Sequence, residues 1–308
     1  MKKAIKWLLV FGCVAVLTAC SKEEEPGVIL LKAGQHSITL SVEERPDTRV
    51  SYSHQEGESV YRFSWSRNDA IGVYVPGRET AVLYTIDEID GRKATFKLAE
   101  DYYIGPGQQM VNIVYPFSLG NDFELPGPNS QNSFGLEQMG QYTVLYAKDV
   151  PMTDGQFGNV KLKHATSYLH FPAGFEFITG SRTCDIHTTE AKLEDVYNVF
   201  GFKDLIPSKS ESDNFIWLAN GRISVGEDGK LVNDVYVPFF VPEGGESMSL
   251  NWRLRVFDFS GDCLAENQVT PEAKEVMPGM VYEASEITFP SKPIDTTVGN
   301  EQTDLGQG

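Results

Sequence analysis

Along most of the chain, apolar and polar residues alternate at every second position, the signature of strands with one buried face. The clearest run is 248–256, where Met248, Leu250, Trp252, Leu254 and Val256 alternate with Ser249, Asn251, Arg253 and Arg255. Tyr61, Phe63 and Trp65 repeat the pattern ahead of Asn68-Asp69 and a second run at 71–75, so this stretch predicts a hairpin. Further strands are expected over 36–42, 82–86, 94–98, 110–115, 160–164, 168–177, 193–200, 215–225, 235–241 and 281–289. Asp90-Gly91, Asp154-Gly155 and Glu227-Asp228-Gly229 supply turn signals between them. No segment sustains a helical period with a cap. The pattern therefore predicts an all-β, mainly antiparallel protein of β-sandwich type.

Two breaks interrupt the strands. The stretch 118–135 is rich in Gly, Pro, Asn and Ser and reads as a long exposed loop inside a first domain. The stretch 148–158 contains Pro151, Asp154, Gly155 and Gly158 and reads as a domain boundary. The expected division is a first β-sandwich over 28–155, a second over 156–290, and a polar tail, 291–308, expected to be disordered.

The N-terminus has a different pattern. Lys2, Lys3 and Lys6 precede an apolar run, 7–17, too short to remain as a bilayer-spanning helix, and Leu17-Thr18-Ala19-Cys20 follows. Charged, apolar and small-residue parts in that order make 1–19 a signal peptide. The small residues before the cysteine resemble the lipobox of bacterial lipoproteins, with Cys20 as the acylated first residue of the mature chain; a plain secretory signal beside a cysteine is the alternative. Each buried acyl methylene contributes about 0.8 kcal/mol, so a diacylglycerol and an N-acyl chain on Cys20 would hold a soluble body on the membrane through lipid alone. Residues 20–27 then form a lipidated, acidic linker. Within it Ser21-Lys22-Glu23-Glu24-Glu25 resembles the export signal that sends lipoproteins of certain anaerobic Gram-negative bacteria to the outer face of the outer membrane.

Composition narrows the function further. Removing 1–19 takes away three lysines and no acid, so the net charge moves from −17 to 23 minus 43, or −20. Such an acidic body has no electrostatic footprint for nucleic acid. With 41% hydrophobic and 11% aromatic residues the chain can build real cores rather than remain unfolded. Cys184 and Cys263 are the two cysteines left after Cys13 and Cys20 are accounted for, and two cysteines alone leave a disulfide open.

A family resemblance appears in the order of several short motifs. An N-terminal strand is followed by Thr48-Arg49, then by Trp65-Ser-x-x-Asp-x-Ile-Gly-Val-Tyr74, Ala94-Thr-Phe and a strand ending Tyr115-Pro116. Leu162-Lys-His-Ala-Thr-Ser-Tyr-Leu and Pro278-Gly-Met-Val-Tyr complete the series. Together these resemble the fimbrillin-family surface lipoproteins. The resemblance implies two tandem transthyretin-like β-sandwiches, displayed as a stalk, tip or anchor component of a fimbria, with other fimbrial subunits as partners by β-strand addition. It supplies no catalytic residue. In stalk subunits a protease cuts after an arginine behind the first strand, and a strand from the next subunit fills the groove that opens. Arg49 before Val50 matches that position, whereas Arg45 precedes Pro46; an ordinary strand-end arginine is the alternative reading of Arg49. A donor strand should alternate apolar residues, and the tail after Pro290 is almost wholly polar, which favours an anchor or tip over a repeating stalk subunit.

Catalytic and metal chemistry finds no pattern. The five histidines show no metal-ligand spacing, His164 shares the parity of Val160 and Leu162, and His170 has no acidic neighbour in sequence. Nucleophile elbows, P-loops and dinucleotide fingerprints are missing. The expectation is a protein that is not an enzyme, with no cofactor beyond the lipid on Cys20 and no metal. The competing reading is a glycan-binding lipoprotein of a carbohydrate-uptake system, which would present an aromatic platform. Trp65 and Trp252 lie on the apolar parity of their strands and are expected in the core; Trp217 is ambiguous. The host or bacterial receptor is not identified by any motif.

Overall fold

The computed structural model describes residues 27–42, 64–91, 93–125, 135, 139–175, 188–210, 215–219, 230–257 and 260–284. The first half of the chain forms β1 (Ile29–Leu31), β2 (Ser37–Val42), β3 (Ala70–Tyr74), β4 (Val82–Asp90), β5 (Lys93–Leu98), β6 (Tyr102–Ile104), β7 (Gln108–Tyr115) and β8 (Asp122–Glu124). A single helical turn, α1 (Met139–Tyr142), leads to β9 (Leu145–Thr153), β10 (Gln156–Phe157) and β11 (Val160–His164). The second half contributes β12 (Thr166–Phe171), β13 (Thr188–Glu194), β14 (Val199–Gly201), β15 (Pro207–Ser208), β16 (Phe215–Ala219) and β17 (Val235–Phe240). It ends with β18 (Glu246–Met248), β19 (Asn251–Phe257), β20 (Cys263–Val269), β21 (Lys274–Val276) and β22 (Val281–Glu283). The protein is all-β and mainly antiparallel.

In the first half, seven strands run in the order β9-β11-β2-β5-β4-β3-β7, and β7 pairs back to β9. The sheet is thereby closed, which leaves these strands without open edges. Alternate residues point inward: Ile38 and Leu40 from β2, Ile71 and Val73 from β3, Phe96 from β5, Val111 and Ile113 from β7, Leu145 from β9 and Leu162 from β11. Trp65 joins this core from the loop before β3, edge-on to Phe96 at 5.3 Å and to Tyr115 at 5.4 Å. Of the hairpin expected at 61–75, the described part is a loop carrying Trp65 and one strand, β3. β3 pairs instead with β4 and β7, while Tyr61 and Phe63 lie outside the described residues.

The expected boundary after Gly155 falls within this closed sheet. Asp154 and Gly155 have φ of 48° and 80°, and Thr153 pairs with Gln156, so the two residues make the tight turn of a hairpin. Positive φ at both central positions matches the twist of the flanking strands. β11, beyond the turn, pairs with β9 and with β2.

The second half contains a three-stranded sheet, β17-β12-β22, and a four-stranded sheet, β16-β13-β19-β20. Phe171 and Phe175 meet the buried Trp252 edge-on at 5.3 and 6.0 Å between them. The single strand expected over 248–256 is divided: β18 pairs with β21, and β19 pairs with β13 and β20. At the crossing point the Ser249 hydroxyl is held between the Pro271 carbonyl and the Asn251 side-chain oxygen. Asp195, at φ 60°, similarly divides the strand expected over 193–200.

The halves share a wall. Tyr74, Val114 and Tyr146 face outward from β3, β7 and β9 and pack in one core with Phe200, Phe202 and Phe240. Tyr146 lies 5.5 Å from Phe200, and Tyr74 lies 6.4 Å from Phe202 between ring centres. The Tyr74 hydroxyl donates to the Gly120 carbonyl at 3.1 Å, and burial, with Asp122 nearby, pushes its pKa up to about 12. β8 crosses over to pair with β14. Two pairings among the described strands are parallel, β2 with β11 and β12 with β22.

Candidate functional site

The first candidate region is the slot that β2 occupies. β2 pairs antiparallel with β5 over five residues, Ser37 to Ser41, and parallel with β11 through Leu40, Ser41 and Val42. Both of its backbone edges are thus engaged. Ile38 is 1% exposed and sits opposite Phe96; Leu40 is fully buried between Ala94 and Val160. Upstream, β1 pairs with β6 and buries Leu31 in the same core. Gly155 locks this segment from the far side of the chain, because a Cβ built there would stand 2.5 Å from Leu31 Cδ2 and 3.0 Å from His36 Nε2. His36 is buried against the edge of Phe157, and that burial lowers its pKa. Taking β1 and β2 away would uncover the backbone of β5 and β11 together with pockets lined by Ala94, Phe96, Val160 and Leu162.

The second region surrounds β22. It pairs through Val281, Tyr282 and Glu283 with β12 on one side among the described residues. Its half-buried residues are secured by side chains. The Tyr282 hydroxyl accepts the Met277 N–H at 2.7 Å. Glu283 Oε1 lies 2.8 Å from His170 Nδ1, and Asp234 Oδ1 lies 3.4 Å from Nε2 of the same ring. That imidazole stacks flat on Tyr236, 4.3 Å away with 2° between planes. Sequence reasoning gave His170 no acidic neighbour; the sheet brings it two, from strand ends 64 and 113 positions away in the chain. Leu169, Met248, Leu250, Val276 and Tyr282 line a groove beside the strand.

The short motifs of the sequence serve packing at these places. Asp69 accepts the Ser66 N–H at 2.6 Å and the Tyr115 hydroxyl at 3.1 Å, fixing the loop that carries Trp65. Burial raises the Asp69 pKa, and these two hydrogen bonds oppose that rise. Gly72 has to be small because a Cβ would meet Ala81 at 3.0 Å and Val114 at 3.4 Å. In the 162–169 motif, the Thr166 hydroxyl accepts the Val144 N–H and donates to the Tyr142 carbonyl, and the Ser167 hydroxyl donates to the Met277 carbonyl. Gly279, at φ 78°, lies against the buried His164.

Cys20, Ser21, Lys22, Glu23, Glu24, Glu25 and Arg49 lie outside the described residues, as do Cys184 and the tail 291–308. Cys263 is exposed on β20. Trp65 and Trp252 are buried, so neither ring is presented to a sugar; Trp217 lies on β16 opposite Lys192. No cluster of three or more His, Cys, Asp or Glu among the described residues has a geometry that could hold a metal ion. No helix among them is long and apolar enough to cross a membrane.

No family model matches the chain, and no curated protein matches it. Solved structures do. A candidate cell adhesion protein from Bacteroides uniformis is similar at 13% identity and a TM-score of 0.42, over 74% of this chain and 91% of that one. One from Parabacteroides distasonis is similar at 6% identity and a TM-score of 0.41, over 85% and 92%. The fimbrial anchor protein Mfa2 from Porphyromonas gingivalis is similar at 10% identity and a TM-score of 0.34, over 75% and 81%.

Proposed function

We propose that this chain is a surface lipoprotein of fimbrial type, tethered through acylated Cys20 to the outer face of the outer membrane. It ends a fimbria, as anchor or tip, rather than repeating along it, and works by assembly and adhesion without catalysis. In this reading the two halves are tandem transthyretin-like β-sandwich units joined by the shared wall. Partner subunits associate by β-strand addition, in which unpaired backbone supplies the attraction and side-chain pockets supply the register.

The observation that carries the reading is the filled slot of β2. A strand held on both edges, with Ile38 and Leu40 fully enclosed, is the shape of a groove complemented from within the same chain. While β2 remains, the slot accepts nothing. The segment 43–63, which contains Arg49, follows it directly, so one cut there would leave β1 and β2 joined to the body by non-covalent contacts alone.

The test compares intact and cut protein by size-exclusion chromatography. The intact protein is expected to stay monomeric. After an arginine-specific protease and mild denaturant strip β1 and β2, the body is expected to self-associate or to take up a synthetic 36–42 peptide, and a chain with both Arg49→Ala and Arg62→Ala, the arginines of 43–63 not followed by proline, is expected to resist both. Intact protein that polymerises unaided would refute the terminal role. A stripped body that binds neither peptide nor itself would refute strand addition at this slot.

A further inference from the structure

The ribbon β1–β6 gathers exposed apolar residues that elsewhere in the first half stand singly, as Ile89 on β4 and Met110 on β7 do. Its inward residues, Leu31 and Ile104, are buried in the closed-sheet core. A solvent-facing strand surface is ordinarily polar. Here the outward positions are Val28, Leu30 and Tyr103, exposed by 42%, 38% and 57%. Leu30 and Tyr103 sit directly opposite each other in the register, and Val28 shares the parity of Leu30, so the three form one continuous apolar face.

Where the chain enters this ribbon identifies the occupant. Gly27, at φ 115°, lies against Pro106, whose Cγ would be 3.3 Å from a Cβ at that glycine, so the entry point is fixed beside Val28. Seven peptide steps separate Gly27 from Cys20, a reach of about 25 Å when fully extended. We propose that Val28, Leu30 and Tyr103 form a membrane-contact face, seated in the headgroup–acyl boundary of the bilayer that carries the chain's own lipid anchor. This rests on the reading of Cys20 as the acylated residue, and it adds a protein contact to one made through lipid alone.

Tethering makes so small a face sufficient, because a short linker presents it to the bilayer at an effective concentration on the order of millimolar. Tyr suits the boundary, where an apolar ring and a wet hydroxyl are both accommodated. The body's charge of −20 after signal removal opposes an electrostatic attachment to anionic lipid, so the contact is apolar and insensitive to salt. It would also hold the body at a set tilt, with the shared wall and the β22 end carried at a fixed orientation to the surface.

The experiment places full-length, acylated protein in phosphatidylcholine vesicles with and without brominated acyl chains. Tyr103→Trp is compared with Leu119→Trp, a second exposed site, each read against the wild-type tryptophan background. Tyr103→Trp is expected to lose most of its added emission in brominated vesicles and Leu119→Trp to keep its own, with the same result at low and high salt. Adding Leu30→Asp, with an unchanged melting temperature as the check that the ribbon stays folded, is expected to restore the Tyr103→Trp signal. Acylated protein that floats with vesicles while Tyr103→Trp stays unquenched would overturn the contact alone. An N-terminal peptide without acyl mass would overturn the lipidation reading and the contact with it. A face already shielded in a dimer before vesicles are added would assign it to a second copy of this chain, which also overturns the proposal.

Discussion

The two parallel strand pairs differ in how much holds them. β2 lies between β5 and β11, bonded on both edges, with Ile38 and Leu40 sealed in a closed sheet. Among the described residues, β22 meets β12 through three residues, all half-buried, and is held by side chains, Glu283 on His170 and Tyr282 on Met277. Both strands stand beside a segment far away in sequence, yet the first is structural filling and the second is a clasped end. Loss of β2 exposes a groove with register and pockets. Loss of β22 removes a short strip from one sheet.

Leu40→Ala should have the largest effect, costing about 2–5 kcal/mol because a fully enclosed side chain leaves a cavity between Ala94 and Val160. Thermal unfolding would measure it, and the corresponding Val281→Ala in β22 should cost clearly less; equal losses would erase the contrast. Gly155→Ala forces a Cβ toward Leu31 at a φ of 80°, and should cost about 1–3 kcal/mol while specifically loosening β1 and β2 in hydrogen exchange. Glu283→Gln weakens the clasp on His170. Its carboxylate is 38% exposed, so the global loss should be under about 1 kcal/mol, with faster exchange confined to β22 and β12.

The smallest effect should be a pH dependence at His36. Its folded pKa is lowered by burial, so as pH falls below about 6.5 the unfolded chain takes a proton that the folded chain refuses. Stability from this group is therefore complete above that pH and declines on acidification toward the folded pKa. Comparing melting temperatures at pH 7.5 and 5.5, wild type should lose more than His36→Gln; identical losses would remove His36 from the account.

Local patterning made β2, β5, β7 and β17 legible, because alternation and flanking turns state a strand's existence without its partners. Trp65 was legible as a core residue but not as a loop residue, since a side chain can enter the closed sheet from a turn fixed by Asp69. The stretch 148–158 misled for a physical reason. Pro151 and Asp154-Gly155 resemble a linker, yet Pro151 sits within β9 and the Asp-Gly pair makes the type of turn a hairpin needs. Closure of β7 on β9 joins strands about 40 residues apart, and the burial of the second face of β3 depends on the second half packing against the first; no window of sequence contains either. The neighbours of His170 were hidden likewise, because Asp234 and Glu283 reach it only through the register of β17 and β22.

Mass spectrometry of the N-terminal peptide from protein recovered within native surface fimbriae tests the central claim most directly. A terminal, tethered component with a self-filled slot should carry an acylated Cys20 with β1 and β2 still covalently attached. A terminus at Val50, with no lipid, would show that the slot is opened by cleavage and that the chain is a polymerising subunit, contradicting the terminal role proposed for it.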